Sequence, residues 1–163
     1  MKSPVAWSGR PTSLFSWDFP LYERASEALR ARLHLTWTDH GFVDVGEDHF
    51  ELRRRWYFFG PFDVRCRDTG RLRGEFKLES QGSRGHLDGV EYRLKSTVPN
   101  QIRRAFDLFR GSDVIARIEH DGKLGRPLSI TSTGDPLTWR EAIALWPALL
   151  LWRRNPEAFG GMS

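Results

Sequence analysis

Residues 137–154 read LTWREAIALWPALLLWRR, and this stretch decides the fold. The preceding Asp135-Pro136 predicts a helix start, because Asp is a favoured N-cap and Pro is favoured at the first helical position. From Ala142 to Trp152 the residues are apolar on nearly all sides, which is typical of a helix buried within a protein. These eleven residues span only about 17 Å, well short of a bilayer core of about 30 Å. We therefore predict a buried helix that is kinked at Pro147.

Upstream of this helix, apolar and polar residues alternate in many short stretches bounded by turn residues. Between residues 29 and 37 every second residue is apolar, which predicts a half-buried strand. The side chains expected to face inward from this strand are Leu29, Ala31, Leu33, Leu35 and Trp37. Later stretches of the same kind contain Val43, Phe50, Val64, Phe76, Tyr92, Phe106, Ala116 and Ile130. Nine or more short strands at this spacing indicate an antiparallel sandwich or barrel.

Chain length and local composition define the expected domain organisation. A chain of 163 residues suits one domain with a substantial core. Pro and Gly residues near the start predict a loose tail over residues 1–20, and residues 21–28 (LYERASEA) predict a short helix. We assign residues 21–154 to a single domain with its terminal helix at about 137–154, and residues 155–163 to a C-terminal tail.

Charge and cysteine content restrict the partners and the setting. Lysine and arginine number 25 against 21 acidic residues, giving a net charge of +4. This excess fits an anionic partner, and arginine, which supplies most of it, suits phosphate recognition. A codon preference for arginine is the alternative explanation. Cys66 is the only cysteine, which excludes a disulfide within one chain and favours a reduced, cytosolic setting. The N-terminus also lacks the apolar segment of a standard secretion signal.

The order of the strand-like segments and the terminal helix carries a resemblance to a known family. The residues concerned are Phe62-Asp63-Val64, Asp68-Thr69-Gly70-Arg71-Leu72, Phe106-Asp107-Leu108, Val114-Ile115-Ala116-Arg117-Ile118 and Ala142–Arg154. In this pattern the chain resembles the Tubby C-terminal-like superfamily, which includes LURP-one-related and phospholipid-scramblase-like proteins. The resemblance implies a mostly β fold, a closed antiparallel β-barrel of about twelve strands around the buried hydrophobic C-terminal helix. No ligand residue of the family transfers to this sequence, and the cysteine-rich and acidic calcium-binding segments of scramblases are absent from it.

The first candidate site is the segment RRRWYFFGPF at residues 53–62, where three arginines run into four aromatic residues. Neighbouring side chains of a strand point to opposite faces, so two of the four aromatics face outward. Outward aromatics beside arginines resemble an interfacial membrane anchor. The residues of this candidate anchor are Arg53, Arg54, Arg55, Trp56, Tyr57, Phe58 and Phe59. The alternative is that another part of the chain, such as its N-terminal segment, covers the outward pair.

The second candidate site is an arginine-rich hairpin around the turn Asp68-Thr69-Gly70. The positions expected to face inward are Val64, Cys66, Leu72 and Phe76, and those expected to face outward are Arg65, Arg67, Arg71 and Arg73. A three-residue loop would place Arg67 opposite Arg71 and Arg65 opposite Arg73. Because like charges directly opposite are unfavourable, this arrangement favours an anionic partner such as a phosphate. The alternative is a solvated network with neighbouring carboxylates.

The sequence carries no catalytic, cofactor-binding or metal-binding motif, so we expect a non-enzymatic protein without a cofactor. Acidic and histidine residues at 39–40 and 47–49 match no metal spacing and are interpreted as polar loop residues. From the resemblance and the arginine hairpin, we expect a module that binds anionic phospholipid at the cytoplasmic membrane face. The alternatives are a nucleic-acid binder, a barrel that encloses a small apolar ligand beside Pro147, and a module that binds a partner protein.

Overall fold

Twelve strands and a C-terminal helix make up the part of the chain that the computed structural model describes, namely residues 6–13, 16–56, 60–98, 105–120 and 127–155. The strands are β1 (Ala6–Gly9), β2 (Asp18–Glu23), β3 (Leu29–Leu35), β4 (Gly41–Val45), β5 (Asp48–Arg54), β6 (Phe62–Cys66), β7 (Leu72–Glu79), β8 (Gly82–Leu87), β9 (Val90–Ser96), β10 (Ala105–Arg110), β11 (Asp113–His120) and β12 (Leu128–Ser132). Each strand pairs antiparallel with its sequence neighbours, and β1 also pairs with β12. The predicted closed, twelve-stranded antiparallel barrel is therefore confirmed.

The strands form where the sequence alternates, because each pleated strand sends every second side chain into the barrel. In β5, for example, Phe50 and Leu52 are buried, whereas Asp48 and Arg53 are exposed. A large apolar side chain that is fully removed from water contributes about 1.5–3 kcal/mol. Pairing each strand in one register therefore places the whole apolar set in the interior.

The first two strands correct the predicted N-terminal tail and short helix. β1 closes the barrel against β12, and β2 pairs with β3, so residues 6–9 and 18–23 belong to the barrel. Trp7, Phe19 and Leu21 are buried, and burial of these three side chains outweighs the local helical preference of residues 21–28. Residues 1–5 of the predicted tail lie outside the described residues, as do residues 156–163 at the other terminus.

The terminal helix consists of α1 (Trp139–Leu145) and α2 (Pro147–Arg154), which Trp146 alone separates. Trp146 itself has helical backbone angles, φ −54° and ψ −37°. Pro147 begins α2, because it has no N–H to continue the helical hydrogen-bond ladder. Residues 142–152 are all buried, so the predicted buried helix inside the barrel is confirmed.

The helix begins at a different residue from the one predicted. Thr138, not Asp135, is the N-cap. The Thr138 hydroxyl accepts a hydrogen bond from the backbone N–H of Arg140 at 3.3 Å, and the Glu141 carboxylate accepts one from the backbone N–H of Thr138 at 3.0 Å. Tyr92 donates its hydroxyl proton to the other oxygen of Glu141 at 2.8 Å, which ties the helix start to β9. Burial and this hydrogen bond raise the pKa of Tyr92 to about 12.

We expect Thr138→Ala to destabilise the protein by about 1 kcal/mol, the usual effect of removing an N-cap hydroxyl. Thr138→Ser keeps the hydroxyl and is the matched control, for which we expect a change of only a few tenths of a kcal/mol. Urea unfolding of both variants beside the parent protein measures the difference in the midpoint. An unchanged midpoint for the alanine variant would contradict the assignment of this cap.

The helix runs from one end of the barrel to the other. We call these the α1 end and the α2 end, after the half of the helix that lies at each. At the α1 end, Asp88 in the β8–β9 turn pairs with Arg140 at 3.4 Å. At the α2 end, Asp39 in the β3–β4 loop pairs with Arg153 and Arg154. Because neighbouring strands are antiparallel, the turns after β4, β6 and β8 lie at the α1 end. The connections after β3, β5 and β7 lie at the α2 end.

Candidate functional site

The two predicted candidate sites lie at opposite ends of the barrel. β5 and β6 pair with Phe50 opposite Cys66 and Arg54 opposite Phe62. Residues 53–55 therefore lie at the α2 end, whereas the turn after Cys66 lies at the α1 end. Four strand residues, spanning about 13 Å, separate the two levels. The structure does not bring the two predicted sets of arginines together.

The register of the arginine hairpin differs from the predicted one. A β-bulge lies between Val64 and Arg65, so Val64 pairs with Gly74 but Arg65 pairs with Leu72. A bulge places one extra residue in one strand, which shifts the pairing beyond it by one position. The predicted opposition of Arg65 and Arg73 is therefore wrong. Leu72 is 47% exposed, so its predicted inward position is wrong as well.

The four hairpin arginines do not form the predicted cluster of like charges. Arg67 lies in the turn, outside the β6–β7 pairing, so its predicted opposition to Arg71 is also wrong. Its guanidinium lies 4.9 Å from the centre of an aromatic ring of β4. Arg65 donates a hydrogen bond to the carbonyl of Gly70 in the turn at 3.1 Å. The guanidinium of Arg73 lies 4.7 Å from the centre of the Trp139 ring. Arg65, Arg67 and Arg73 therefore contact three different neighbours.

Two of the three arginines in the first candidate site are neutralised by carboxylates on the outer wall. Arg53 pairs with Glu51 at 2.8 Å. Arg55 donates to Asp63 at 2.7 Å and also to Glu75, and these hydrogen bonds raise the pKa of its guanidinium. Exposed ion pairs contribute only about 0–1 kcal/mol to stability. Their effect here is to leave little unbalanced charge at these two positions.

Of the predicted aromatic anchor, the described residues include only Trp56. Its side chain is 55% exposed, so part of this indole faces solvent. Tyr57, Phe58 and Phe59 lie outside the described residues.

Trp37 is a functional candidate that the alternating pattern missed. β3 ends at Leu35, and Trp37 is 84% exposed, so its predicted inward position is wrong. Leu29, at the other end of the same pattern, is exposed too. The Thr36 hydroxyl accepts a hydrogen bond from the backbone N–H four residues later at 3.1 Å, and Asp39 has a φ of +62°, so the chain turns here. The turn-forming residues in TWTDHG are the signal that would have placed Trp37 in a loop.

Two arginines and one carboxylate meet at the loop that carries Trp37, at the α2 end of the barrel. Arg153 donates to the carbonyl of the residue before Trp37 at 2.7 Å and also to Asp39. Arg154 donates to Asp39 at 3.0 Å. The guanidinium of Arg54 lies 4.8 Å from the centre of the Phe62 ring, and partial burial and the positive charge of Arg154 lower its pKa.

We name Trp37, Asp39, Arg54, Arg153 and Arg154 the Trp37 cluster. Partial burial acts to raise the pKa of Asp39, but hydrogen bonds from Arg154 and Arg153 outweigh it and hold that pKa below its usual value. Asp39 is therefore ionised at neutral pH. The guanidinium groups of Arg153 and Arg154 share this one carboxylate, which leaves an excess of one positive charge among these three side chains beside an exposed indole.

The interior space beside Pro147 is too small for an apolar ligand. It lies between the helix and strands β7–β9 and is lined by Phe76, Tyr92, Leu94 and Ile143 among others. Its volume is about 10 Å³, and one water molecule needs about 10–15 Å³. The alternative of a ligand held beside Pro147 therefore has no room in this space.

Neither a protein-family model, nor a curated protein, nor a solved structure matches this chain. Within the described ranges no group of three or more His, Cys, Asp and Glu side chains is arranged to hold a metal ion. No helix of the described part is long and apolar enough to cross a membrane. In the polar segment 47–49, His49 bonds Asp44 at 2.7 Å, and this hydrogen bond raises the pKa of His49.

Proposed function

We propose that this protein is a non-enzymatic binding module that contacts anionic phospholipid headgroups at the cytoplasmic face of a membrane through the Trp37 cluster. The observation that carries the proposal is an indole that is 84% exposed beside two arginines that share one carboxylate. Tryptophan favours the interface between membrane and water, because its ring is apolar and its N–H is polar. Arginine favours the negative surface of the cytoplasmic leaflet.

The charge of the cluster supports weak, reversible association. Each basic residue near an anionic membrane contributes about 1 kcal/mol, so the one unbalanced charge of Arg153, Arg154 and Asp39 contributes about 1 kcal/mol. Insertion of one indole adds apolar burial to this attraction. Stable attachment generally needs two such signals, and the cluster supplies one of each kind. Binding of this type falls with rising salt, because exposed charges are screened.

The test is co-sedimentation of the full chain with vesicles over a salt series. One set of vesicles contains phosphatidylcholine alone, and the other also contains phosphatidylserine. The test variants are Trp37→Ala and the pair Arg54→Gln/Arg154→Gln. The matched control is Arg65→Gln/Arg71→Gln, which removes the same charge at the α1 end of the barrel.

We expect binding to the anionic vesicles only, weakened by salt. Each lost arginine should reduce the affinity roughly fivefold, and Trp37→Ala should reduce it further, whereas the control pair should bind like the parent. If the control pair loses binding and Arg54→Gln/Arg154→Gln binds fully, the anion site lies in the hairpin and not in the Trp37 cluster. Absence of binding to either vesicle would overturn the proposal.

A further inference from the structure

An open groove on the outer wall of the barrel is distinct from the Trp37 cluster. It has a volume of about 810 Å³, within the size range of small-molecule sites, which is about 300–1,000 Å³. Its lining includes Trp56, Gly60, Pro61, Lys77, Arg84 and Glu91. We name this the Trp56 groove. The lining combines this indole with charged or titratable side chains of β7, β8 and β9, which also include Glu75 and His86.

A row of like charges crosses three neighbouring strands, and its first two members, Lys77 and Arg84, line the groove. Lys77 of β7 pairs opposite Arg84 of β8, and Arg84 pairs opposite Arg93 of β9. Strands lie about 4.8 Å apart, so the row extends over about 10 Å. Like charges directly opposite one another are unfavourable unless a counter-charge lies between them. Like charges directly opposite one another were predicted in the arginine hairpin, but the structure has them in this row instead.

The two cations of this row that line the groove, Lys77 and Arg84, pair with no carboxylate of the described residues. Neither Lys77 nor Arg84 has an ion pair within the described part of the chain, and both side chains are exposed. Arg93 has Glu79 at 3.9 Å, at the limit of an ion pair. Arginine presents a planar fork that matches a phosphate, and a neighbouring lysine adds a point charge. This end of the groove is therefore suited to a phosphate group.

The Trp56 indole in the groove is held in place by a glycine. An added Cβ at Gly60 would lie 2.5 Å from Cε3 of Trp56, and Gly60 has a φ of +98°, so only glycine allows this packing. Trp56 remains 55% exposed, which leaves indole surface for a ligand. Aromatic side chains beside cations are the arrangement by which proteins stack a nucleobase while binding its phosphate.

We propose that the Trp56 groove binds a nucleoside phosphate, with the base stacked on Trp56 and the phosphate held by Lys77 and Arg84. Glu91, which also lines the groove, supplies an acceptor for an amino group of the base. A lipid headgroup offers a phosphate but no planar ring, so the indole wall favours the nucleotide. The site shares no residue with the Trp37 cluster. The vesicle experiment and the nucleotide experiment therefore test the two proposals separately, and either proposal can be wrong without the other.

The test is calorimetric titration of the full chain with adenosine monophosphate. Adenosine alone and inorganic phosphate alone are the two partial ligands, and a short single-stranded oligoadenylate tests the polymeric source of the same chemistry. The variants are Trp56→Ala, Trp56→Phe and Lys77→Gln/Arg84→Gln. The matched controls are Trp37→Ala, which removes another exposed indole, and Arg65→Gln/Arg71→Gln, which removes the same charge elsewhere.

We expect adenosine monophosphate to bind more tightly than either partial ligand. Trp56→Ala should weaken it roughly 5- to 150-fold, whereas Trp56→Phe, which keeps a ring, should retain most of the affinity. Lys77→Gln/Arg84→Gln should weaken it at least about tenfold, and both controls should bind like the parent. Equal affinity for the nucleotide and for phosphate, or an unaffected Trp56→Ala variant, would overturn the proposal. If the oligoadenylate binds more tightly, with the same dependence on Trp56, the proposed mononucleotide ligand is wrong and the groove binds single-stranded nucleic acid.

Discussion

Leu149→Asp is expected to abolish the folded state. Leu149 lies in α2 at the centre of the barrel and is 0% exposed. Loss of a buried leucine side chain costs about 2–5 kcal/mol, and an unpaired buried polar group adds about 2–7 kcal/mol. Together these are comparable with the whole stability of a domain, about 5–15 kcal/mol. Deletion from Asp135 onward removes the same core and should have the same result.

The measurement is thermal unfolding followed by circular dichroism, with near-ultraviolet signals reporting the packing of the tryptophans. Leu149→Met is the matched control, because it conserves volume and should cost less than about 1.5 kcal/mol. The aspartate variant should show no cooperative transition and no near-ultraviolet signal. Soluble aspartate variant that melts cooperatively near the parent temperature would mean that the helix is not the core of the barrel.

Trp146→Ala should destabilise the protein by about 3–5 kcal/mol, the second largest effect that the fold predicts. Trp146 is 0% exposed, and its indole packs against two phenylalanine rings. The distances between ring centres are 5.8 Å to Phe62 and 5.9 Å to Phe76. It also donates its indole N–H to the carbonyl of His34 at 2.9 Å. Urea unfolding measures the loss, and a decrease below about 1 kcal/mol would contradict this packing.

The indole of Trp146 also explains why residue 41 is glycine. An added Cβ at Gly41 would lie 2.2 Å from Cζ2 of the indole, so Gly41→Ala should force the ring to move, at a cost of about 1–3 kcal/mol. In a Trp146→Leu background the same change should cost much less, because the smaller side chain leaves room. A double-mutant cycle over these two positions measures the coupling. Additive effects would show that the two residues do not share this contact.

Much of the architecture could be predicted from the sequence, because the interior of the barrel repeats a simple pattern. The alternation of residues such as Phe50 and Leu52 marks one face of a strand, and the run from Ala142 to Trp152 has no polar face to expose to water. The segments that broke the pattern were predicted wrongly. Leu21 forms part of a strand because β1 and β3 lie on either side of it, which the local residues LYERASEA (21–28) do not reveal.

The candidate sites were far less accessible from the sequence. The hairpin arginines looked opposed because a regular register was assumed, and one bulge after Val64 removed that opposition. Lys77, Arg84 and Arg93 look unrelated along the chain, yet three adjacent strands bring them into one row. Asp39 and Arg154 are more than a hundred residues apart along the chain, and only closure of the barrel around the helix brings them together.

The period of apolar residues along the chain was enough to predict a mostly β domain with an apolar helix in its interior, because burial depends on that period. Tertiary contacts were needed to show that residues 6–9 belong to the barrel, that Trp37 is exposed, and which cations meet which carboxylates. Those outcomes depend on strand register and on contacts between distant segments. A shift of one residue changes every neighbour on the surface while leaving the composition of the chain unchanged.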